Sequence, residues 1–121
     1  MIKLKRIQPI FIENSTVPSF LSFFAPIEIN AIALFPFVFC RDKLSTDSKR
    51  HEIIHFQQQL ELGVLIFYLI YAWDFCVSKF KGLNGPEAYL NIRAEKEAYE
   101  NQSTIDYLST RKRWQWLKRR N

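Results

Sequence analysis

The sequence STDSKRHEIIHFQQQ, residues 45–59, contains both histidines of the chain, His51 and His55. The polar residues at its start are typical N-caps, so the stretch predicts a helix. On a helix, residues four positions apart project from one face, and two imidazoles in that arrangement can bind one metal ion. Glu52 then lies beside the open side of the ion, where a general base acts. This H-E-x-x-H pattern predicts a zinc-dependent hydrolase.

The same helix is expected to continue into the apolar run Leu62–Trp73, which gives an active-site helix over residues 45–73. The run is shorter than the ~20 residues that span a bilayer, so a buried helix is the default interpretation and a membrane-facing one stays open. A glycine-containing segment ends this region. Pro86 is suited to the first position of a second helix, which is predicted over residues 86–101.

The residues before the metal-binding stretch predict a small amount of β structure. Alternate residues from Ile27 to Cys40 are apolar, which indicates a short antiparallel edge strand or a hairpin over residues 27–40. Pro36 cannot donate a hydrogen bond within a sheet, so an edge strand or a bulge is expected there. Residues 1–26 are interpreted as an N-terminal arm. We therefore expect a single domain of 121 residues, of the α+β class and predominantly helical.

A catalytic zinc site usually has three protein ligands and one open position. The chain has no third histidine and no C-x-x-C spacing, so the third ligand must be a carboxylate. The acids of the helical regions are the candidates: Glu61, Asp74, Glu87, Glu95, Glu97 and Glu100.

Helical spacing separates these acids. On the helix over residues 86–101, Glu95 shares the apolar face with Ala88 and Ile92, whereas Glu97 falls on the charged face. A carboxylate on the buried side of a helix is costly unless it is paired with a cation or bound to a metal. Glu95 is therefore the preferred third ligand, and an ion pair with a nearby lysine or arginine is the alternative.

These residues resemble a known family. His51-Glu52-x-x-His55 followed by Glu95-x-x-Ala98 is similar to the H-E-x-x-H…E-x-x-A pattern of gluzincin metallopeptidases. The resemblance is greatest to the membrane-linked heat-shock and prenyl-protein processing zincins, to the small minigluzincins, and to small bacterial zincin-like proteins. It implies a minimal zincin-like fold with Zn²⁺ bound by His51, His55 and Glu95. The larger families have Asp after the Ala, and this chain has Tyr99.

The predicted activity is hydrolysis of peptide bonds in a peptide or protein substrate. A zinc-bound water attacks the carbonyl, and Glu52 acts as the general base. Tyr99, Gln59 and Arg93 are candidates for hydrogen bonds to the metal site or to the transition state. The alternative is a non-catalytic zincin-like protein with a structural or vestigial metal site, which works by binding a partner or a membrane.

The basic residues are concentrated at the C-terminus. The chain has a formal charge of +5, but residues 111–121 alone carry six basic residues and no acid. Residues 103–121 are predicted to form a basic aromatic helix, opened by a capping box of Ser103 and Asp106. Peripheral contact of residues 111–120 with an anionic membrane, packing on the body, and the less favoured binding of nucleic acid all stay open.

Two cysteines, Cys40 and Cys76, lie among apolar neighbours and are expected to be buried thiols. Their number is too small for a disulfide framework. The N-terminal apolar stretch Ile7–Ile12 is shorter than the core of a signal peptide. We therefore expect a cytoplasmic protein, with a peripheral position at the inner membrane as the open alternative.

Overall fold

A computed structural model describes residues 8–23 and 29–118. The described part is mostly helical with one small mixed sheet, so the predicted class, α+β and predominantly helical, is confirmed. The strands are β1 (Ile10–Ile12), β2 (Ala31–Leu34) and β3 (Phe37–Cys40). The helices are α1 (Val17–Ser22), α2 (Thr46–Leu62), α3 (Val64–Phe80), α4 (Gly85–Leu90), α5 (Arg93–Asn101) and α6 (Tyr107–Thr110), followed by the 3-10 helix Gln115–Lys118.

The sheet has the strand order β1-β3-β2, so β3 is central and β2 lies at an edge. Strands β2 and β3 form the predicted hairpin, and Pro36 lies in the turn between them, after a cis peptide bond. Residues 27 and 28 of that prediction lie outside the described residues. The N-terminal arm adds β1, which pairs with β3 in parallel and makes the sheet mixed.

Gly63 divides the predicted helix over residues 45–73 into α2 and α3. Its φ of 86° and ψ of 152° are not helical, and the two helices meet at an angle of 112°. Glycine adopts this conformation without a Cβ penalty. A lone glycine within a helical pattern is usually tolerated, which is why the sequence predicted one continuous helix. The bend turns α3 back against α2, α4 and α5.

The predicted helix over residues 86–101 is also divided. α4 has Pro86 in its first turn, as expected, and the structure adds a capping box of Asn84 and Glu87 that was not predicted. Ile92 then takes an extended conformation with ψ of 130°, and α5 starts afresh at Arg93. The break places Glu95 in the first turn of α5.

The C-terminal segment is not the single helix that was predicted over residues 103–121. Ser103 donates its hydroxyl to Asp47 at 2.8 Å, and Asp106 makes no side-chain cap. Trp116 is fully buried against Phe67 at the hydrophobic core. The described part of the segment therefore packs on the body, and residues 119–121 lie outside the described residues.

The two thiols have different environments. Cys40 is buried in β3, and burial raises its pKa to about 11. Cys76 is exposed on α3, which corrects the expectation of two buried thiols. The expectation was wrong because the apolar neighbours of Cys76 are themselves partly at the surface.

Among the described residues, no individual helix has the length and apolar character needed to cross a bilayer. Only α2 and α3 together satisfy a length-and-composition criterion, and they are bent by 112°.

Candidate metal centre

Helix α2 carries His51, Glu52 and His55 on its buried face. The helix starts where predicted, because the Ser45 side chain accepts a hydrogen bond from the backbone of Ser48 at 3.1 Å. The two imidazole rings lie 4.8 Å apart, as expected for residues one turn apart. His51, Glu52 and His55 offer ligand atoms within 4.8 Å of one another and could hold a metal ion.

Glu95 brings a carboxylate to the same point from α5. Its Oε1 lies 3.1 Å from Nε2 of His51 and 3.0 Å from Nε2 of His55. The two Nε2 atoms are themselves 3.1 Å apart. Three donor atoms from two helices thus form a nearly equilateral triangle, with all three residues less than 9% exposed.

The triangle fits a small divalent ion. Tetrahedral zinc with bonds of about 2.0–2.1 Å places its ligand atoms roughly 3.3 Å apart. The observed edges of 3.0–3.1 Å are therefore shorter by only about 0.3 Å. Two imidazole nitrogens and one carboxylate oxygen are also a donor set that zinc accepts at catalytic sites. Glu52 lies beside this triangle, with its Oε2 at 3.8 Å from Nε2 of His51.

Two glutamine side chains hold the outer nitrogens of the imidazoles. Nδ1 of His51 is 2.7 Å from Oε1 of Gln102, and Nδ1 of His55 is 2.8 Å from Oε1 of Gln58. With an amide oxygen as acceptor, each Nδ1 carries a proton and each Nε2 is left to bind a metal. Gln58 was considered as such a partner from the sequence, whereas Gln102 was missed, since no periodic pattern marks it.

Tyr71 is a further residue of the centre that sequence reasoning missed. Its hydroxyl donates to Oε2 of Glu95 at 2.6 Å, which fixes the second oxygen of that carboxylate. A signal was present, because Tyr71, Asp74 and Ser78 recur at helical spacing within an otherwise apolar helix. Those polar residues mark the face of α3 that packs inward.

The buried charges influence one another strongly. Burial raises the pKa of Glu52 above its ordinary value of 4.5. Burial alone would lower the pKa of His55, but the charge of Glu95 and its hydrogen bond raise it to about 9. Burial alone would raise the pKa of Glu95, but the two histidines hold it well below its ordinary value. Without a metal, the triangle therefore retains a proton between His55 and Glu95.

Tyr99 lies against the centre as predicted. Its ring centroid is 4.4 Å from that of His51, and its hydroxyl is 3.0 Å from the hydroxyl of Tyr89. Both tyrosines line the cavity described below. This pair therefore brings hydroxyl groups to the cavity wall beside His51.

Gln59 and Arg93 lie away from the triangle. Gln59 accepts from the backbone of Phe35 at 3.1 Å and donates to the carbonyl of Ala33 at 2.5 Å, so it ties α2 to β2. Arg93 is bound to both carboxylate oxygens of the buried Asp74, each at 2.9 Å. Neither side chain lines the cavity, so structural contacts account for both residues.

Glu97 occupies a site that helical spacing did not predict. It was placed on a charged, solvated face, but it is fully buried between Arg111, Tyr107 and Gln58. Burial alone would raise its pKa, and the hydrogen bonds and charge of Arg111 lower it instead. The C-terminal segment supplies this arginine, which explains why the pattern of α5 alone gave the wrong environment.

A cavity of about 470 Å³ opens beside the triangle. The edge strand β2 forms one wall, with Ala31, Ile32 and Ala33, and α3 forms another. Among the described residues, the only carboxylates in its lining are those of Glu52 and Glu95, and no lysine or arginine contributes. The site can therefore receive an uncharged, extended group next to the candidate metal position.

Comparison of this chain with protein-family models, with curated proteins and with solved structures returned no match.

Proposed function

We propose that this protein is a zinc metallopeptidase of the gluzincin type, in which His51, His55 and Glu95 hold the metal. The observation that carries the proposal is the convergence of two Nε2 atoms and one Oε1 atom within 3.1 Å, at the wall of an open cavity. A purely structural zinc site is closed by four protein ligands. The triangle supplies three such donors beside a cavity, and the Glu52 carboxylate is farther away, at 3.8 Å from Nε2 of His51, which supports the catalytic alternative.

A bound zinc would act as a Lewis acid and lower the pKa of a coordinated water towards ~7. Glu52 lies on the cavity side of the histidines, where its carboxylate takes the proton of the attacking water. It then delivers that proton to the leaving amine. The Tyr89–Tyr99 hydroxyl pair is placed to donate to the developing oxyanion.

Strand β2 provides the surface on which a peptide can pair. It is an edge strand, and its residues line the cavity. The carbonyl of Ala33 already accepts from Gln59 and from the Tyr68 hydroxyl, which uses both of its lone pairs. A substrate backbone therefore pairs with the strand before Ala33, beside Ala31 and Ile32.

The test is Glu52→Gln, with Glu100→Gln as the control at an exposed position of α5. Cleavage of a mixed-sequence peptide library is followed by mass spectrometry, and bound zinc by elemental analysis. We expect Glu52→Gln to keep its zinc and to lose about 10²–10⁴-fold in rate, whereas the control keeps both. Wild-type cleavage by Glu52→Gln would exclude this residue as the base. Zinc binding with no cleavage by wild-type protein would favour the non-catalytic alternative.

A second candidate function, peripheral membrane binding, is supported by the outer face of α3. Leu65, Leu69, Trp73 and Phe80 are 74%, 61%, 67% and 92% exposed and fall on one side of the helix. The polar Asp74 and Ser78 are buried on the opposite side. A helix that turns its polar residues inward and its apolar residues outward is suited to an apolar environment.

Charge favours an anionic lipid surface as the occupant of this face. The only acid of α3, Asp74, is buried, and the exposed Lys79 and Lys81 lie at its C-terminal end. A chain of net charge +5 repels a second copy but is attracted to anionic headgroups, where each nearby lysine contributes ~1 kcal/mol. Trp73 provides an indole ring suited to the headgroup boundary. Arg111, assigned to such contact by the sequence, is buried and cannot contribute.

Flotation with phosphatidylglycerol vesicles tests this function, with phosphatidylcholine vesicles as the comparison. We expect wild-type protein to float with the anionic vesicles, and the Leu69→Gln/Trp73→Gln variant to remain behind. A stable dimer in solution that covers Cys76, with no flotation, would identify a second copy as the occupant and overturn the membrane proposal.

A further inference from the structure

The side-chain amide of Gln58 has an orientation that its partners dictate. Its Nε2 lies 3.1 Å from the carbonyl of Ala94 and 2.9 Å from Oε1 of Glu97. Both partners are acceptors only, so the nitrogen end must face them. The amide oxygen is consequently left to face Nδ1 of His55, at 2.8 Å. A rotated amide would place its oxygen against two other oxygens in a fully buried position.

This orientation decides the tautomer of His55. Because Oε1 of Gln58 can only accept, Nδ1 of His55 must donate to it. With Nδ1 protonated in this way, loss of the proton shared with Glu95 leaves the lone pair on Nε2, the atom that points at His51 and Glu95. Gln58 thus selects the one tautomer that can bind a metal at the triangle.

The Glu97 carboxylate is held in place by the C-terminal segment. Arg111 donates to it from Nε at 2.6 Å and from Nη2 at 3.0 Å, and the same guanidinium also binds Glu61. Glu97 is fully buried and Arg111 is 5% exposed. Without the guanidinium, only the hydrogen bonds with Tyr107 and Gln58, among the described residues, would hold this carboxylate in place.

From these contacts we propose that Arg111 is a positioning residue of the metal centre, acting through Glu97 and Gln58 to hold His55 in its metal-binding tautomer. The inference rests on the proposed metal site and makes the C-terminal segment part of it. His51 differs, because its partner Gln102 is only partly buried and its amide contacts no charged side chain among the described residues. The contacts from Arg111 through Glu97 and Gln58 therefore reach His55 and not His51.

Glu97→Gln tests the proposal, since it keeps the shape of the side chain but can present a donor to Gln58. Zinc affinity is measured by competition with a chromophoric chelator. We expect Kd to rise about tenfold, within the range for partners that orient metal ligands.

Two further variants test the route from Arg111. Arg111→Lys, which keeps the charge without the bidentate geometry, is expected to lose less zinc affinity than Glu97→Gln. On a Gln58→Met background, Glu97→Gln should have no further effect on Kd, because its route to His55 is already removed.

Asp74→Asn is the matched control, because Asp74 forms the other buried ion pair with an arginine and does not contact Gln58. It should destabilise the fold comparably and leave the zinc Kd within twofold. An unchanged Kd in Glu97→Gln would overturn the proposal. An equal loss in Asp74→Asn, or an undiminished effect of Glu97→Gln on the Gln58→Met background, would also do so.

Histidine ¹⁵N chemical shifts give a second readout that needs no metal. In metal-free protein, Nδ1 of wild-type His55 should carry a proton that is hydrogen-bonded to Gln58. Glu97→Gln should populate the Nε2-protonated form of His55, and His51 should be unchanged. If His55 has the same tautomer in wild-type protein and in Glu97→Gln, the proposed positioning of His55 through Glu97 and Gln58 is refuted. The proposed function and this inference can fail separately. If wild-type protein binds no zinc but the tautomer of His55 still changes in Glu97→Gln, the proposed function is refuted and the positioning of His55 is retained.

Discussion

Helices α2 and α3 each contain 17 residues, but they bury different kinds of side chain. Helix α2 is the more polar, yet eight of its residues are buried, and six of these are polar. They are His51, Glu52, His55, Gln57, Gln58 and Gln59. Helix α3 is strongly apolar, yet only Phe67, Asp74 and Ser78 are buried. The more apolar helix therefore has fewer buried residues, so hydropathy alone does not predict which helix is buried.

The difference follows from where each helix finds partners. The imidazoles and Gln58 of α2 bind groups of α5 and of the segment that follows it, while Gln59 binds β2. A buried polar group that is fully hydrogen-bonded costs little and fixes geometry. Helix α3 contributes Tyr71 and Asp74 to the same layer, and the apolar side chains on its opposite face, such as Leu69 and Trp73, are left exposed.

The largest effect is expected from removing Glu95, the proposed metal ligand that joins α2 to α5. Glu95→Ala should lose far more than the roughly 100-fold in zinc affinity that an orienting partner can cost. Elemental analysis after gel filtration measures the bound zinc. Glu100→Ala, at an exposed position of the same helix, is the control. Full zinc occupancy in Glu95→Ala would show that α2 buries its histidines for a reason other than this site.

An apolar substitution on the polar helix is expected to be the next most costly. Gln59→Leu removes the acceptor of the Phe35 N–H and one donor to the Ala33 carbonyl. Unpaired backbone groups at this site should lower the free energy of unfolding by roughly 2–3 kcal/mol. Urea denaturation measures the change. A neutral or stabilising effect would mean that hydropathy, rather than hydrogen bonding, governs the burial of α2.

Gly63 sets the angle between the two helices. Its substitution should lower the free energy of unfolding by less than Gln59→Leu does. A Cβ at this residue meets nothing within 4 Å, so Gly63→Ala is disfavoured only by the φ of +86°. The expected loss is about 1–2 kcal/mol of unfolding free energy, together with weaker zinc binding because Tyr71 moves from Glu95. Gly82→Ala, with φ of +94° and equally open space, is the matched control. It should lose stability without changing zinc affinity.

A polar substitution on the exposed face of the apolar helix α3 should hardly change the free energy of unfolding. Leu69→Gln lies on the exposed face of α3 and should change the free energy of unfolding by less than about 0.5 kcal/mol. Phe67→Ala, two residues earlier but buried, should cost about 3–5 kcal/mol. Thermal and urea unfolding compare the two variants. A large loss from Leu69→Gln would indicate that the outer face of α3 is covered in solution.

The smallest perturbation is chemical labelling of Cys76 on the exposed face of α3. A thiol reagent at neutral pH should label Cys76 and spare Cys40, whose pKa of about 11 keeps it protonated. Labelling of Cys40 should rise only as the pH approaches that value, because the thiolate is the reactive form. Mass spectrometry of the folded protein counts the labels. Protection of Cys76 by anionic vesicles would support membrane contact, and protection without lipid would support a second copy.

Local patterns predicted much of the metal centre. The spacing of His51 and His55 and the apolar phase of Glu95 depend only on helical periodicity, which holds wherever a helix forms. The hairpin and the caps of α2 and α4 were also predictable, because they rest on contacts between near neighbours. The resemblance to gluzincins implied the same ligand role for Glu95, and that role stays a prediction.

Long-range contacts were not predictable by the same means. Arg111 was placed in a basic tail whose contacts stayed open, and Glu97 on a charged surface, because each residue was judged from its own segment. Their pairing joins residues 14 positions apart and depends on how the C-terminal segment returns to α5. The orienting contacts of Gln102 and Tyr71 arise in the same way, across 51 and 24 positions.

The sequence alone determined which residues can form the metal triangle, since helical repeat and residue chemistry are properties of short segments. The tertiary structure decided how α2 and α3 diverge at Gly63, which face of α3 is exposed and which groups orient the ligands. Those outcomes depend on a backbone bend and on hydrogen bonds between distant segments. Their free energies become available only when the chain has packed, so no local pattern contains them.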